Sequence, residues 1–290
     1  MGNPAAALHA AVHAGDERAV ARLLRAGASP EATDDEGVTA LYTAAADGRS
    51  AVVRLLLASG AAPDRLSGDG ESPLCGAACW GRTDAVRELL AAGAAPDLAE
   101  EFGHTASTWA VRGGHTAVLA ELLAAGADPD RPMPPPGGEP LLVAAVRRGS
   151  PGCVRLLFAH GAAARPEALA EARRLSARDV EAELRGALER AHGPGHSFTT
   201  RRFTRDGGGR GLGGDAVGVV EVTLLRDGRP AASDDRETGQ AEVLALLEAG
   251  PGPSGAAPAA GPSAPSAPSA PSPPRPLDPS APRPRGPAAP

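Results

Sequence analysis

Three kinds of residue in this 290-residue chain could support chemistry: paired histidines and cysteines at helical spacing, adjacent carboxylates, and a glycine run. His9 and His13 stand four apart, as do Cys75 and Cys79, so on a helix each pair shares one face. Two ligands do not complete a metal site: structural zinc takes four and catalytic zinc three plus water. Asp34-Asp35 and Glu100-Glu101 have the composition of general acid–base pairs, but they fall in turn-rich segments that imply no pocket, where solvated charge is the simpler reading. The run from Gly209 to Gly214 formally spells G-x-G-x-x-G. A dinucleotide site needs that motif to follow a strand and open a helix; here Asp215 and another β-branched segment follow, which reads as a connector. Every basic side chain other than histidine is arginine. With no lysine, P-loop phosphate binding and lysine Schiff-base chemistry are excluded. No Ser/His/Asp or Cys/His set stands in a nucleophile context. These residues predict no catalytic activity, no cofactor and no metal.

The elements that would position any site follow from composition and spacing. The formal charge is -6, from 29 arginines against 35 acids, which disfavours a general nucleic-acid or anionic-membrane binder. Isoleucine is absent, and Asn3 and Gln240 are the single residues of their types, a pattern of high-GC coding that predicts a bacterial source. Three cysteines do not make a disulfide framework, which suits a reducing compartment. No stretch resembles a signal peptide or reaches the roughly 18 apolar residues of a membrane span. The expectation is a monomeric cytoplasmic protein.

Self-similarity dominates the first half. Gly15, Gly48, Gly81 and Gly114 step by 33, as do Gly27, Gly60, Gly93 and Gly126, and Pro30, Pro63, Pro96 and Pro129. A fifth copy arrives two residues late, with Gly149 and Gly161, after the Pro-rich stretch from Arg131 to Gly138. In copies two to four, Thr39, Ser72 and Thr105 supply a helix N-cap hydroxyl. A short Ala-rich helix follows and ends at a glycine. A second helix then carries an apolar stripe such as Val53, Leu56 and Leu57. One such pair cannot bury its own stripe, whereas stacked copies can.

The unit G70-E-S-P-L-C-G-A-A-C-W-G81, followed by V86-R-E-L-L-A-A-G93-A-A-P-D97, resembles an ankyrin repeat. The resemblance covers about residues 5–161 as five copies. It implies an all-α repeat, a solenoid of stacked helix-turn-helix units with hairpin fingers, and a concave face built from first helices and fingers. The family's His position is held by His9, Tyr42, Cys75, Thr108 and Val143, so its usual hydrogen bonds are not uniform. Ser107 replaces the buried leucine of the other copies (Leu8, Leu41, Leu74, Leu142), which makes repeat four the expected weak point.

The sequence divides as 1–161 repeats, 162–192 a helical cap, 193–250 a small β-hairpin plus helix, and 251–290 a disordered Pro/Ala/Ser-rich tail. In the cap, Ser176 to Asp179 reads as a capping-box variant. In the appendage, 197–205 and 217–225 read as two strands, and 237–249 as a helix like the second half of a repeat. Arg201, Arg202 and Arg205 offer a weaker alternative site there.

The strongest functional expectation is a binding surface. Counting from the motif leucine, Trp80 and Trp109 fall at offsets six and two in adjacent repeats, on one helical face, and tryptophan is enriched at binding hot spots. Trp109 also has a packing reading, as filler beside Ser107. Arg112, Arg147 and Arg148 form an expected basic end. Phe102 is an extra apolar finger residue. Tyr42 in the His slot and Asp47 at offset six of repeat two complete the candidate set. Over residues 1–161 there are 13 arginines against 19 acids, many of the acids on fingers. This predicts a non-catalytic protein–protein interaction module whose partner carries a basic segment and an apolar anchor. A regulatory subunit or inhibitor of a partner enzyme is the alternative.

Overall fold

Thr39, Ser72 and Thr105 each place a hydroxyl at a helix start, where it accepts the backbone N–H three residues on, at 3.1, 3.1 and 3.4 Å. Gly48 and Gly81 turn the chain after the same helices at φ of 73° and 66°, a left-handed conformation that a Cβ would strain. The computed structural model describes residues 3–135, 138–205, 217–226, 228–237 and 240–250. The expected glycine connector at 206–214 and tail at 251–290 lie outside the described residues.

Residues 3–161 form five helix pairs: α1 (Pro4–Ala14) and α2 (Glu17–Arg25), α3 (Ala40–Ala46) and α4 (Ser50–Ala58), α5 (Pro73–Cys79) and α6 (Thr83–Ala91), α7 (Ala106–Gly113) and α8 (Thr116–Ala124), α9 (Leu141–Arg148) and α10 (Pro151–Ala159). First helices pack on first helices from α1 to α9, and second helices on second helices from α2 to α10, which makes two layers. The motif leucines Leu8, Leu41, Leu74 and Leu142 are buried in one continuous core with Val53, Val86, Leu119 and Val154.

The repeat spacing reappears as ladders of polar contacts. Arg82 Nε donates to the Ala46 carbonyl at 3.1 Å. At the equivalent place one repeat later, a His115 ring nitrogen lies 3.1 Å from the Cys79 carbonyl, so this histidine ties two repeats together. Asp64, Asp97 and Asp130, each following a motif proline, accept the backbone N–H of Ala95, Asp128 and Ala163 in the next copy at 3.0, 3.0 and 2.8 Å. Neighbouring fingers are joined by Gly68 N–H to the Gly37 carbonyl and Glu101 N–H to the Gly70 carbonyl, at 2.9 and 3.3 Å. A Cβ on Gly68 would stand 2.8 Å from the Glu36 carbonyl oxygen, so that close approach requires glycine.

Beyond residue 161 the chain forms α11 (Arg165–Ser176), α12 (Val180–His192), β1 (Ser197–Arg205), β2 (Val217–Arg226), β3 (Arg229–Glu237) and α13 (Gln240–Ala249). Three features differ from the sequence expectation. Ser176 ends α11 instead of capping the next helix; Asp179 caps α12 by accepting the Ala182 N–H at 3.0 Å. The expected two-stranded hairpin is a three-stranded antiparallel sheet of order β1-β2-β3. The third strand, R-P-A-A-S-D-D-R-E, is an edge strand with no clear apolar alternation, so local pattern does not announce it.

The third difference lies in where the helices go. α11 packs on α9, and α13 packs on both α10 and α11. These two helices therefore stand as the inner and outer members of a sixth pair, separated in sequence by α12 and the sheet. Val243 and Leu247 of α13 are fully buried in the main core. The ion pair Arg155–Glu242 (3.0 Å) extends the outer-layer pairs Arg54–Glu88 (2.9 Å) and Arg87–Glu121 (2.7 Å). Arg165 donates to the Leu247 carbonyl at 2.8 Å, near the C-terminus of α13, where the helix dipole favours a cation. α12 turns to the sheet instead: Leu184, Leu188, Val220, Val222 and Leu224 form a second, separate cluster. A boundary at 192/193 thus cuts across the packing. None of the described helices is long and apolar enough to cross a membrane.

Candidate functional site

The finger between repeats three and four bends so that Glu100 N–H bonds the His104 carbonyl at 2.8 Å. This brings Glu100 back over the inner helices. Its carboxylate accepts the Trp109 indole N–H at 2.9 Å. Burial raises the Glu100 pKa above the ordinary carboxylate value, and the neighbouring Glu71 charge adds to the rise against the lowering effect of the indole N–H. Expected as solvated charge, Glu100 is in fact half-buried and engaged. His104 lies against the Trp109 ring, centroids 4.9 Å apart, and the Arg112 guanidinium stands 5.2 Å above that ring. Burial, then the Arg112 charge, lowers the His104 pKa and favours the neutral imidazole.

These side chains wall a groove of about 590 Å3 lined by Asp69, Glu71, Glu100, Glu101, Phe102, His104 and Trp109 beside the Gly68 turn. Phe102 is 77% exposed. Hydrogen-bonded to the groove's Glu71, Tyr42 of repeat two lies over Gly76, where a Cβ would be 2.8 Å from its ring. Burial, then Glu71 and Glu100, push the Tyr42 phenol above its ordinary range. Burial and Glu100 push up both the Cys75 and Cys79 thiols, so neither is a ready nucleophile.

The remaining residues of the sequence-derived set stand apart from this groove. Trp80 follows the end of α5, 46% exposed, and is not among the groove's lining residues. Asp47 lies 3.7 Å from His13. Arg147, expected at a basic end, is tied to Glu139 at 3.0 Å and Glu171 at 2.8 Å. Glu171 also meets Arg174 at 2.7 Å, and hydrogen bonds from Arg174 and Arg147 hold its pKa down to about 2. Arg148 passes over Gly114, where a Cβ would lie 3.7 Å from its Nε. His9, the other half of the histidine pair, is buried with Nε2 3.1 Å from the Ala32 carbonyl. Among the described residues, no three His, Cys, Asp or Glu side chains gather so as to hold a metal ion.

A second cleft, of about 460 Å3, opens between the start of α12 and the sheet, lined by Arg178, Glu181, Arg202, Phe203 and neighbours. Its arginines already have acidic partners, Glu183 for Arg178 and Glu181 for Arg202, the latter at 2.7 Å. Arg201 lies over the Phe203 ring at 5.0 Å.

The two-layer stack and its fingers agree with a comparison of known families: the model for ankyrin repeats (3 copies) matches residues 8–99 and 87–168, more than half of the chain. The chain belongs to the ankyrin-repeat family. Ankyrin repeats are generally protein-interaction modules. No curated protein matches the chain. The match ends inside α11, so the ankyrin units that it covers include every side chain of the groove. Sequence spacing marked Trp109 at offset two and Glu100 on its finger, but not that the Trp109 indole N–H meets the Glu100 carboxylate.

Proposed function

We propose that this ankyrin-repeat chain is a non-catalytic interaction module that binds a protein partner across the fingers and inner helices of repeats two to four. The observation that supports this reading is the groove itself: about 590 Å3, with an exposed Phe102 at its mouth and a tryptophan wall held by Glu100. Hydrogen bonds between successive fingers hold its shape before any partner arrives, which lowers the ordering cost of binding. Trp80, Tyr42 and Arg112 extend the proposed surface on either side, while Arg147 serves the scaffold. A cytoplasmic, monomeric protein fits the composition and the three free cysteines.

Affinity capture from host lysate tests the reading, with the wild-type chain beside Trp109→Ala/Phe102→Ala matched for folding by circular dichroism. A protein retained by wild type and lost by the variant is the expected result. Equal retention by both sinks the assignment of the groove.

A further inference from the structure

The groove gathers four carboxylates along one wall. On the outer layer and finger bases, carboxylates meet arginines: Glu31 with Arg65, Glu88 with Arg54, Glu121 with Arg87, Glu139 with Arg147. Among the described residues, none of Asp69, Glu71, Glu100 or Glu101 has an arginine or histidine within ion-pair distance, although all four line one groove. The Arg112 guanidinium is engaged on the Trp109 ring. Phe102, at 77% exposure, presents a bare aromatic face beside the carboxylates. The volume is far larger than an ion needs and falls within the ~300–1,000 Å3 range of clefts that take organic groups.

Resting on the interaction reading above, we propose that the groove receives an arginine side chain of the partner protein. Its guanidinium meets the carboxylates of Glu71, Glu100 and Glu101, and its stem lies along Phe102. A planar guanidinium can bond two carboxylates at once and stack on an aromatic ring, and it is less strongly hydrated than an ammonium group, so arginine fits better than lysine. The finger-to-finger hydrogen bonds hold Glu101 and the Gly68 turn in place, so the acidic wall does not have to assemble on binding.

The two tryptophans give a direct readout, because the full chain shows one indole N–H resonance from each. A blocked peptide of alternating glycine and arginine is titrated in low salt, beside its lysine and citrulline counterparts. The Trp109 resonance is expected to move saturably with the arginine peptide, with affinity about tenfold weaker for lysine and weaker still for neutral citrulline. Glu71→Gln/Glu101→Gln is expected to cost about tenfold in affinity, and added salt should act in the same direction on the wild type if the variant folds poorly. A still Trp109 resonance, equal affinity for citrulline or lysine, or indifference to salt overturns the proposal. Such a failure is distinguishable from failure of the interaction reading: a protein still captured through Trp109 and Phe102 would keep the groove and reject only the arginine.

Discussion

At the scale of single residues, a few side chains decide how repeat four holds together. Ser107 takes the place of a buried leucine, is fully buried, and its Oγ has no hydrogen-bond partner among the described residues. Its neighbours compensate: Thr105 and Thr108 form a reciprocal capping box, and Trp109 packs on the core while donating to Glu100. Ser107→Ala removes an unsatisfied polar group and should stabilise the chain by about 1 kcal/mol in urea denaturation. The Trp109–Glu100 contact makes a second prediction. The Trp109 indole resonance should titrate at a pH above the ordinary carboxylate value of 4.5, and should lose that titration in Glu100→Gln. Glu171 behaves in the opposite sense. Its native pKa is depressed, so its contribution to stability is present above 4.5 and lost as pH falls towards about 2. Urea midpoints followed from neutral pH downward should show this loss, and Glu171→Gln should flatten that part of the profile.

At the scale of elements, α13 is the informative helix. Its sequence, with Val243, Leu246, Leu247 and Gly250 spaced as Val86, Leu89, Leu90 and Gly93 are, marks it as an outer repeat helix. Its partner α11 lies more than sixty residues earlier in the chain, beyond α12 and the sheet. Burying Val243 and Leu247 against α10 and α11 closes a face that would otherwise expose apolar surface. Leu247→Ala should therefore cost ~2–4 kcal/mol and speed amide exchange in α10 and α11 before it affects α3. β3 owes its place to pairing alone: its backbone completes the β2 ladder from Val219↔Glu237 to Arg226↔Arg229, with an irregularity at Leu224/Leu225.

At the scale of the whole molecule, the chain is a repeat stack interrupted near its end by a module with its own core. Contacts in the stack are local or one repeat away, so its stability should be close to a sum of neighbour terms. Two truncations separate stack from insertion. A chain ending at residue 176 loses α13 and should show a lower urea midpoint. A chain in which residues 177–239 are replaced by a short turn keeps the α11–α13 pair and should retain the wild-type midpoint of the stack. Equal loss in both chains would mean that the sheet module is integral to the solenoid.

By itself the sequence determined the repeat unit, its count through residue 161, the capping hydroxyls, and the terminating glycines. Each of these rests on contacts within a copy or between positions one period apart, which self-similarity makes visible. It also marked Trp109, Phe102 and the finger acids as unusual against that period. Only the tertiary structure decided which of them meet. Arg147 finds Glu171, Arg155 finds Glu242, and α12 leaves the stack for the sheet, all through contacts that follow no repeat spacing. Whether a carboxylate stands open or paired depends on which guanidinium reaches it in three dimensions. A carboxylate is part of the scaffold at Asp64 and lines an open groove at Glu101.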